Sequence, residues 1–402
     1  MELPIPEIPF LPLAAPLQGR PEEFLSPVLE RLPPDIKGAL RPGPREEVRG
    51  EPVHFVLMLT GGTERELLEF SRETEGPFVI LSHPAQNSLA AALEAVAKLR
   101  AEGRRVVLHH LGDPACREEL ERSLVAAELA RRLKGKRVGI VGEPSPWLVA
   151  SVPPVEILER KLGLEPVRIP LEEVVHRAQR VASPPRPQGE RVEPGEEELA
   201  MGGKVYSALR GIVEERDLSA FTIACFGLLP HRMTACWALA RLGSERTPAG
   251  CEGDLTGLIA LIISQELTGS PGFLANPVDV DPKRERLLLA HCTAPFALLD
   301  GFRLRTHFES GLGLAVEGTL RKGPYTLVRF GGERLEQAFF VEGNVLPERP
   351  GREDICRTQV IFKAPKGALR KLLREPLGNH HVLIPGHHRA VLERFHQLFL
   401  AE

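Results

Sequence analysis

Residues 104–142 contain three runs that decide the fold: RRVVLHHLG (104–112), CREELERSLVAAELARRLKG (116–135) and RVGIVG (137–142). The outer two are short, apolar and rich in β-branched residues, which suits strands. The middle run is long, carries its apolar residues at helical spacing and stops at a glycine. Strand–helix alternation at this spacing argues for parallel sheets covered by helices. Two further apolar runs lie upstream, VHFVLMLT (53–60) and FVILS (78–82), and SLAAALEAVAKLRAEG (88–103) reads as a helix between strands. Such continuous apolar runs fit strands covered on both faces.

Downstream the alternation resumes. VEILERKLG (155–163) reads as a helix, followed by a short strand around Val167. SPPRPQGERVEPGEEE (183–198) is the clearest linker, rich in proline, glycine and charge. A helix over 197–215, a strand in SAFTIACFG (219–227), a helix in HRMTACWALARLG (231–243) and a helix over 254–268 make a second α/β unit. Beyond about 300 come FRLRTHFES, GLGLAVEGTLRKG, PYTLVRFGG, EQAFFVEG and TQVIFKA, short alternating runs that read as antiparallel strands. A helix (366–374) and a final strand and helix follow. The proline-rich residues 1–50 read as an extended arm lying on a neighbouring surface, with one short helix near Glu22–Arg31. The expected division is an arm and first α/β domain (1–136), a second α/β domain (137–300) and a C-terminal β-rich domain (301–402).

Composition bounds the function. The 402 residues are 43% hydrophobic and 26% charged, which excludes wholesale disorder. The net charge of −3 gives no drive toward nucleic acid or anionic membrane. No apolar run is long enough to span a bilayer, and the first residues lack the basic region of a secretory signal. Cysteines 116, 225, 236, 251, 292 and 356 form no CxxC pair and predict free thiols in a reducing cytoplasm. Scarce asparagine and abundant proline fit either a thermophile or a GC-rich genome.

Several segments carry groups capable of chemistry. Gly61-Gly62-Thr63-Glu64 follows a strand and reads either as a tight turn with a helix cap or as a cradle for a sugar hydroxyl. Gln86 and Asn87 lie at the next strand end, where α/β sheets gather ligands; Asn87 or Ser88 as a helix cap accounts for the segment equally well. Trp147, after Ser145 in GEPSPW (142–147), is either a core residue or a sugar-stacking platform. In Cys251-Glu252-Gly253-Asp254, Asp254 is explained as an N-cap, whereas Glu252 has no such explanation and suits a metal ligand or proton carrier. FLANPVDVD (273–281) offers Asn276, Asp279 and Asp281, His291 ends LLLAH, and His380 and His381 precede VLIPG. A glutamate with an imidazole suits Mn²⁺ or Mg²⁺ better than Zn²⁺. Neither G-x-S-x-G nor HExxH occurs.

TGGTE (60–64), NSLAAALE (87–94), GEPSPWLVAS (142–151), TACWALA (234–240), CEGDLTGLIA (251–260), FLANPVDVD, LLLAHC (287–292), THFESGLGLAVEG (306–318), YTLVRF (325–330) and GNHHVLIPGH (378–387), in this order, resemble the L-fucose isomerase / L-arabinose isomerase superfamily, in its shorter fucose-isomerase-like members. The resemblance covers most of 53–402. It implies two Rossmann-like parallel-sheet α/β domains and a C-terminal β-rich, barrel-like domain. It also implies homotrimers or homohexamers in which one subunit's N-terminal domain covers its neighbour's site. The activity it implies is aldose–ketose isomerisation, an intramolecular oxidoreduction of a small-molecule sugar through a cis-enediol. The cofactor it implies is Mn²⁺, or another divalent cation such as Mg²⁺ or Co²⁺. Carried over residue by residue, the metal ligands fall on Glu252, Asn276 and His380, with His291 at a further histidine position. Glu252 and Asn276 take the catalytic positions. Trp147, Asn87, Thr63, Glu64, Ser145 and His381 become substrate contacts. Asn276 departs from the family, which has an acid there. Three readings follow: Glu252 is the sole base; Asp279, Asp281 or Glu309 substitutes; or the chain is a catalytically impaired carbohydrate-binding or regulatory protein on the same scaffold.

Overall fold

A computed structural model describes residues 7–15, 20–32 and 34–401. The chain forms two compact units, Glu2–Arg132 together with Ala390–Glu402, and Leu133–Arg389.

The first unit is built on a parallel sheet of β1 (Ile8–Leu13), β2 (Leu40–Pro42), β3 (His54–Met58), β4 (Phe78–Ser82) and β5 (Val106–His110), in the order β2-β1-β3-β4-β5. Val56, Met58, Phe78 and Ile80 pack with Leu67, Phe70, Ala91 and Leu99 of the covering helices into a buried core. The expected arm is corrected here: Ile8–Leu13 is an internal strand of this sheet. Its prolines argue against such a place, yet the register accommodates them. In a parallel ladder, alternate residues address opposite neighbours. β2 is paired over Ile8–Phe10 and β3 over Phe10–Leu13. Pro9 addresses β3 one residue before that pairing begins, and Pro12 addresses β2 beyond its end, so neither costs the ladder a donor. The expected short helix is Pro21–Leu29.

The second unit holds a parallel sheet of β6 (Arg137–Val141), β7 (Glu165–Ile169), β9 (Ala220–Ile223) and β10 (Ala249–Cys251), in the order β10-β9-β6-β7. A closed antiparallel barrel follows, β11-β12-β17-β16-β15-β18, from β11 (Phe273–Asp281), β12 (Arg286–His291), β15 (Gly323–Gly331), β16 (Gln337–Val345), β17 (Thr358–Lys363) and β18 (His381–Pro385). The barrel thus begins upstream of the texture change near 300, with β11 and β12 as its first two strands. β13 (Leu299–Arg305) and β14 (Ala315–Leu320) form a separate small sheet with β8 (Glu190–Arg191), which lies in the expected linker. The helix expected in 231–243 starts only at Cys236; a 3₁₀ helix, Cys225–His231, occupies the preceding residues and ends at Arg232 with φ +56°.

Helix Leu255–Thr268 is buried along almost its whole length and packs against β9, β10, β11, β15 and β18. It therefore joins the sheet to the barrel within this unit, which is why it is apolar all round. Among the described residues, no helix is long and apolar enough to cross a membrane. All six cysteines are free.

Candidate metal centre

The site starts from the turn between β10 and helix Leu255–Thr268. Glu252 has φ +61° and Gly253 φ +78°. A non-glycine residue in the left-handed region is strained, and such strain gathers at functional sites. A Cβ at position 253 would stand 2.6 Å from Pro144 Cα, so only glycine fits. The Glu252 carbonyl accepts from Ser145 N–H at 2.8 Å, which fixes the 142–147 loop against this turn.

The Glu252 side chain is buried, and its two oxygens face different partners. Trp147 Nε1 donates to Oε2 at 2.5 Å. Oε1 lies 3.5 Å from His380 Nε2. His291 packs edge-on against His380, with ring centroids 5.3 Å apart. One donor atom each from Glu252, His291 and His380 lies within 4.8 Å of the others, a grouping able to hold a metal ion. His380 Nε2 is buried and makes no hydrogen bond. An orphaned imidazole nitrogen beside a carboxylate fits a divalent cation, which would take both as ligands.

Behind the triad, His380 Nδ1 donates to Asp254 Oδ2 at 2.9 Å. Such a carboxylate fixes the tautomer and leaves Nε2 as the ligand nitrogen. Asp254 is the N-cap expected from its position: Oδ1 accepts from Gly257 N–H at 2.7 Å and from Thr256 Oγ1 at 2.8 Å. The sequence shows only this capping half of its role. His291 Nδ1 is held by Thr293 Oγ1 at 2.9 Å.

Burial pushes His380 down, but Asp254 and Glu252 reverse this and raise it to about 9. Burial would raise the Asp254 carboxyl, yet His380, Arg329 and the Gly257 amide hold it at about 2. Glu252 is lowered in the same way: burial opposes, while His380 and the Trp147 N–H prevail. His291 falls to about 3, mainly through burial and then through the charge of His380. The centre therefore holds two carboxylates in the charged form.

Asn276 lies on β11 opposite Ala290, the neighbour of His291, and its Oδ1 accepts from Asn379 Nδ2 at 3.4 Å. Asn379 directly precedes His380, and the β11–β18 register sets Ala275 opposite His381. His381 is buried, donates from Nδ1 to Asn379 O at 2.9 Å and packs on Phe339. Ser145 is buried, whereas Trp147 is half exposed, edge-on to Phe226 at 4.8 Å. Phe226 in turn meets the buried His307. Trp147, Glu143, Ser145, Arg168, Glu172 and Phe226 line a cavity of about 680 Å³ at the carboxyl ends of β6, β7 and β9. That is where a doubly wound sheet gathers ligands. Of the carboxylates that could replace an acid at 276, Asp281 caps its own turn, accepting from Lys283 and Arg284 N–H at 3.0 Å. Asp279 is exposed. Glu309 is raised by burial and by the negative charge of Glu252.

Thr63, Glu64 and Asn87 belong to the first unit. Thr63 is buried and donates to Thr60 O at 3.0 Å instead of capping the helix that follows. Glu64 opens that helix, and Asn87 is exposed with φ +56° ahead of helix Ser88–Ala101.

Fold and site together define an α/β and β-barrel protein with a buried carboxylate–imidazole centre able to bind a metal. No family model matches the chain. It is 24% identical over 294 residues to a sulfoquinovose isomerase of Alkalicoccus urumqiensis, covering 68% of this chain and 65% of that protein. The figures for a sulfoquinovose isomerase of Priestia aryabhattai are 22% over 298 residues, with the same coverage of 68% and 65%. A sulfoquinovose isomerase of Clostridium sp. (strain MSTE9) is 26% identical over 185 residues, covering 42% and 39%. The chain thus matches at most 65% of the length of these relatives.

Proposed function

We propose that this chain is a divalent-metal-dependent aldose–ketose isomerase of the fucose/arabinose isomerase type. The observation that carries the reading is the convergence of Glu252, His291 and His380 donor atoms, with a buried His380 Nε2 that makes no hydrogen bond. The similarity to sulfoquinovose isomerases supports the reaction class. Glu252, His291 and His380 hold the ion, with the Asn276 amide oxygen as a neutral fourth candidate. Mn²⁺ is the first choice, then Mg²⁺ or Co²⁺. When bound, the ion acts as a Lewis acid toward adjacent substrate oxygens. Glu252 takes the proton from C2 of the open-chain sugar and returns it to C1, the oxygens exchanging their own proton in compensation. Trp147 keeps Glu252 Oε2 fixed and offers an aromatic wall to the sugar. Glu309 is the candidate for the second acid that Asn276 does not supply. Thr63, Glu64, Asn87, Ser145 and His381 remain proposed substrate contacts, and a homotrimer or homohexamer remains the proposed assembly.

The test is metal content followed by proton exchange from C2 of an aldose panel, sulfoquinovose included, in D₂O with Mn²⁺. Exchange in wild type that vanishes in Glu252→Gln supports the isomerase. Metal without exchange across the panel turns the reading toward a carbohydrate-binding protein. No metal in excess Mn²⁺ overturns it.

A further inference from the structure

Arg329 is among the largest fully buried side chains of the described residues. It sits on β15, in YTLVRF, a run whose neighbours are apolar. A buried guanidinium is costly unless every N–H finds an acceptor. Here all five do. Nη1 donates to Asp254 Oδ2 at 3.2 Å and to the His380 carbonyl at 3.0 Å. Nη2 donates to Ser151 Oγ at 2.8 Å and to the Leu377 carbonyl at 3.3 Å, and Nε also reaches Leu377 O at 3.3 Å. These acceptors lie on three separate segments. One is the loop after Trp147; the Ser151 carbonyl in it accepts from Leu255 and Thr256 N–H at 3.1 and 3.2 Å. The second is the helix cap beside Glu252. The third is the strand entry carrying His380. Gly378 makes room for the group: a Cβ there would stand 2.1 Å from Nη2.

We infer that Arg329 is the positioning residue of the metal centre, fixing Asp254 Oδ2 against His380 Nδ1 and the His380 backbone beside it so that Nε2 faces Glu252 and His291. The inference rests on the proposed metal site. Arg329 touches none of the three ligand atoms and acts through Asp254 and the 377–380 backbone. An ordinary structural arginine would affect folding alone. A positioning arginine also changes how an ion is held, and outer partners of metal ligands are worth about 10–100-fold in affinity.

The experiment is calorimetric titration of the full chain with Mn²⁺ and with Co²⁺, the latter also read by its visible ligand-field spectrum. Wild type, Arg329→Met and Arg329→Lys are compared, with melting temperatures recorded beside them. Arg329→Met is expected to lose about 100-fold in affinity and to shift the Co²⁺ spectrum, and added guanidinium to restore both. Arg329→Lys, with three donors for five contacts, is expected to lose about tenfold. If Arg329→Met does not fold, Arg329→Lys decides. Wild-type affinity and spectrum in the folded variant, whatever its melting temperature, overturn the assignment and leave the isomerase reading standing. A wild-type protein that binds neither ion overturns both.

Discussion

Asn276 accepts a hydrogen bond from Asn379, the residue before His380, and the cluster around His380 already holds two carboxylates. Asn276→Asp adds a third. It should tighten Mn²⁺ binding by about tenfold, equivalent to about 1.4 kcal/mol, in a titration at neutral pH. Unchanged affinity would place residue 276 outside the coordination sphere. His380→Ala should abolish Mn²⁺ binding while the far-ultraviolet circular dichroism persists, because the Asp254 cap and Arg329 remain. Retained metal would shift the ligand role to His381. The sequence singles out Glu252, His291 and His380, and the structure brings their donor atoms together. Asp254 is half legible, since a cap explains it fully on paper. Arg329 is not legible at all: its partners lie up to 178 residues away, and only the tertiary fold supplies them. An arginine inside an apolar strand is nevertheless a signal that a buried set of acceptors awaits it.

At the scale of the element, the C-terminal segment illustrates how a short helix is held by specific polar contacts. Arg394 donates to Ser123 Oγ at 2.7 Å and to His109 Nε2 at 3.1 Å, and pairs with Glu119. His109 must therefore be neutral, with its proton on Nδ1. Burial, then the charge of Arg394, lowers it to about 3. A histidine lowered in the folded state confers its full stability above the unfolded value of about 6.5 and loses it as pH falls toward the folded value. Acidification from pH 7 to 5 should cost about 2 kcal/mol through this group. Urea midpoints at the two pH values should converge in His109→Gln relative to wild type; parallel shifts would show that other groups carry the acid sensitivity. The same scale shows where sequence patterns mislead. The strands β3 to β6 are apolar and continuous and are legible as such. Proline hides β1, because its legality depends on which neighbour each residue addresses, information that no local pattern holds.

At the scale of the molecule, Glu252, His291 and His380 all lie in the unit Leu133–Arg389. An ion bound there stabilises the folded form in proportion to its occupancy. Mn²⁺ at 100 times its dissociation constant should add about 2.7 kcal/mol, seen as a raised melting temperature in wild type and not in Glu252→Gln. An equal rise in both would mean that the ion binds elsewhere. The α/β alternation and the antiparallel β character of the C-terminal part are readable from run length and periodicity. The closure of the barrel through β11 and β12 is not, because it depends on pairings between strands far apart in the sequence.

The first unit is assembled from two stretches far apart in the sequence, Glu2–Arg132 and Ala390–Glu402. Synthesis runs from one to the other, at roughly 5–20 residues per second. About 260 residues separate Arg132 from Ala390, so the earlier stretch, with its sheet, waits roughly 13 to 50 s for the later one. During that interval, the surface destined for Phe395 and Leu398, both fully buried in the finished protein, stands open. This unit therefore stays incomplete for as long as the intervening unit takes to be made.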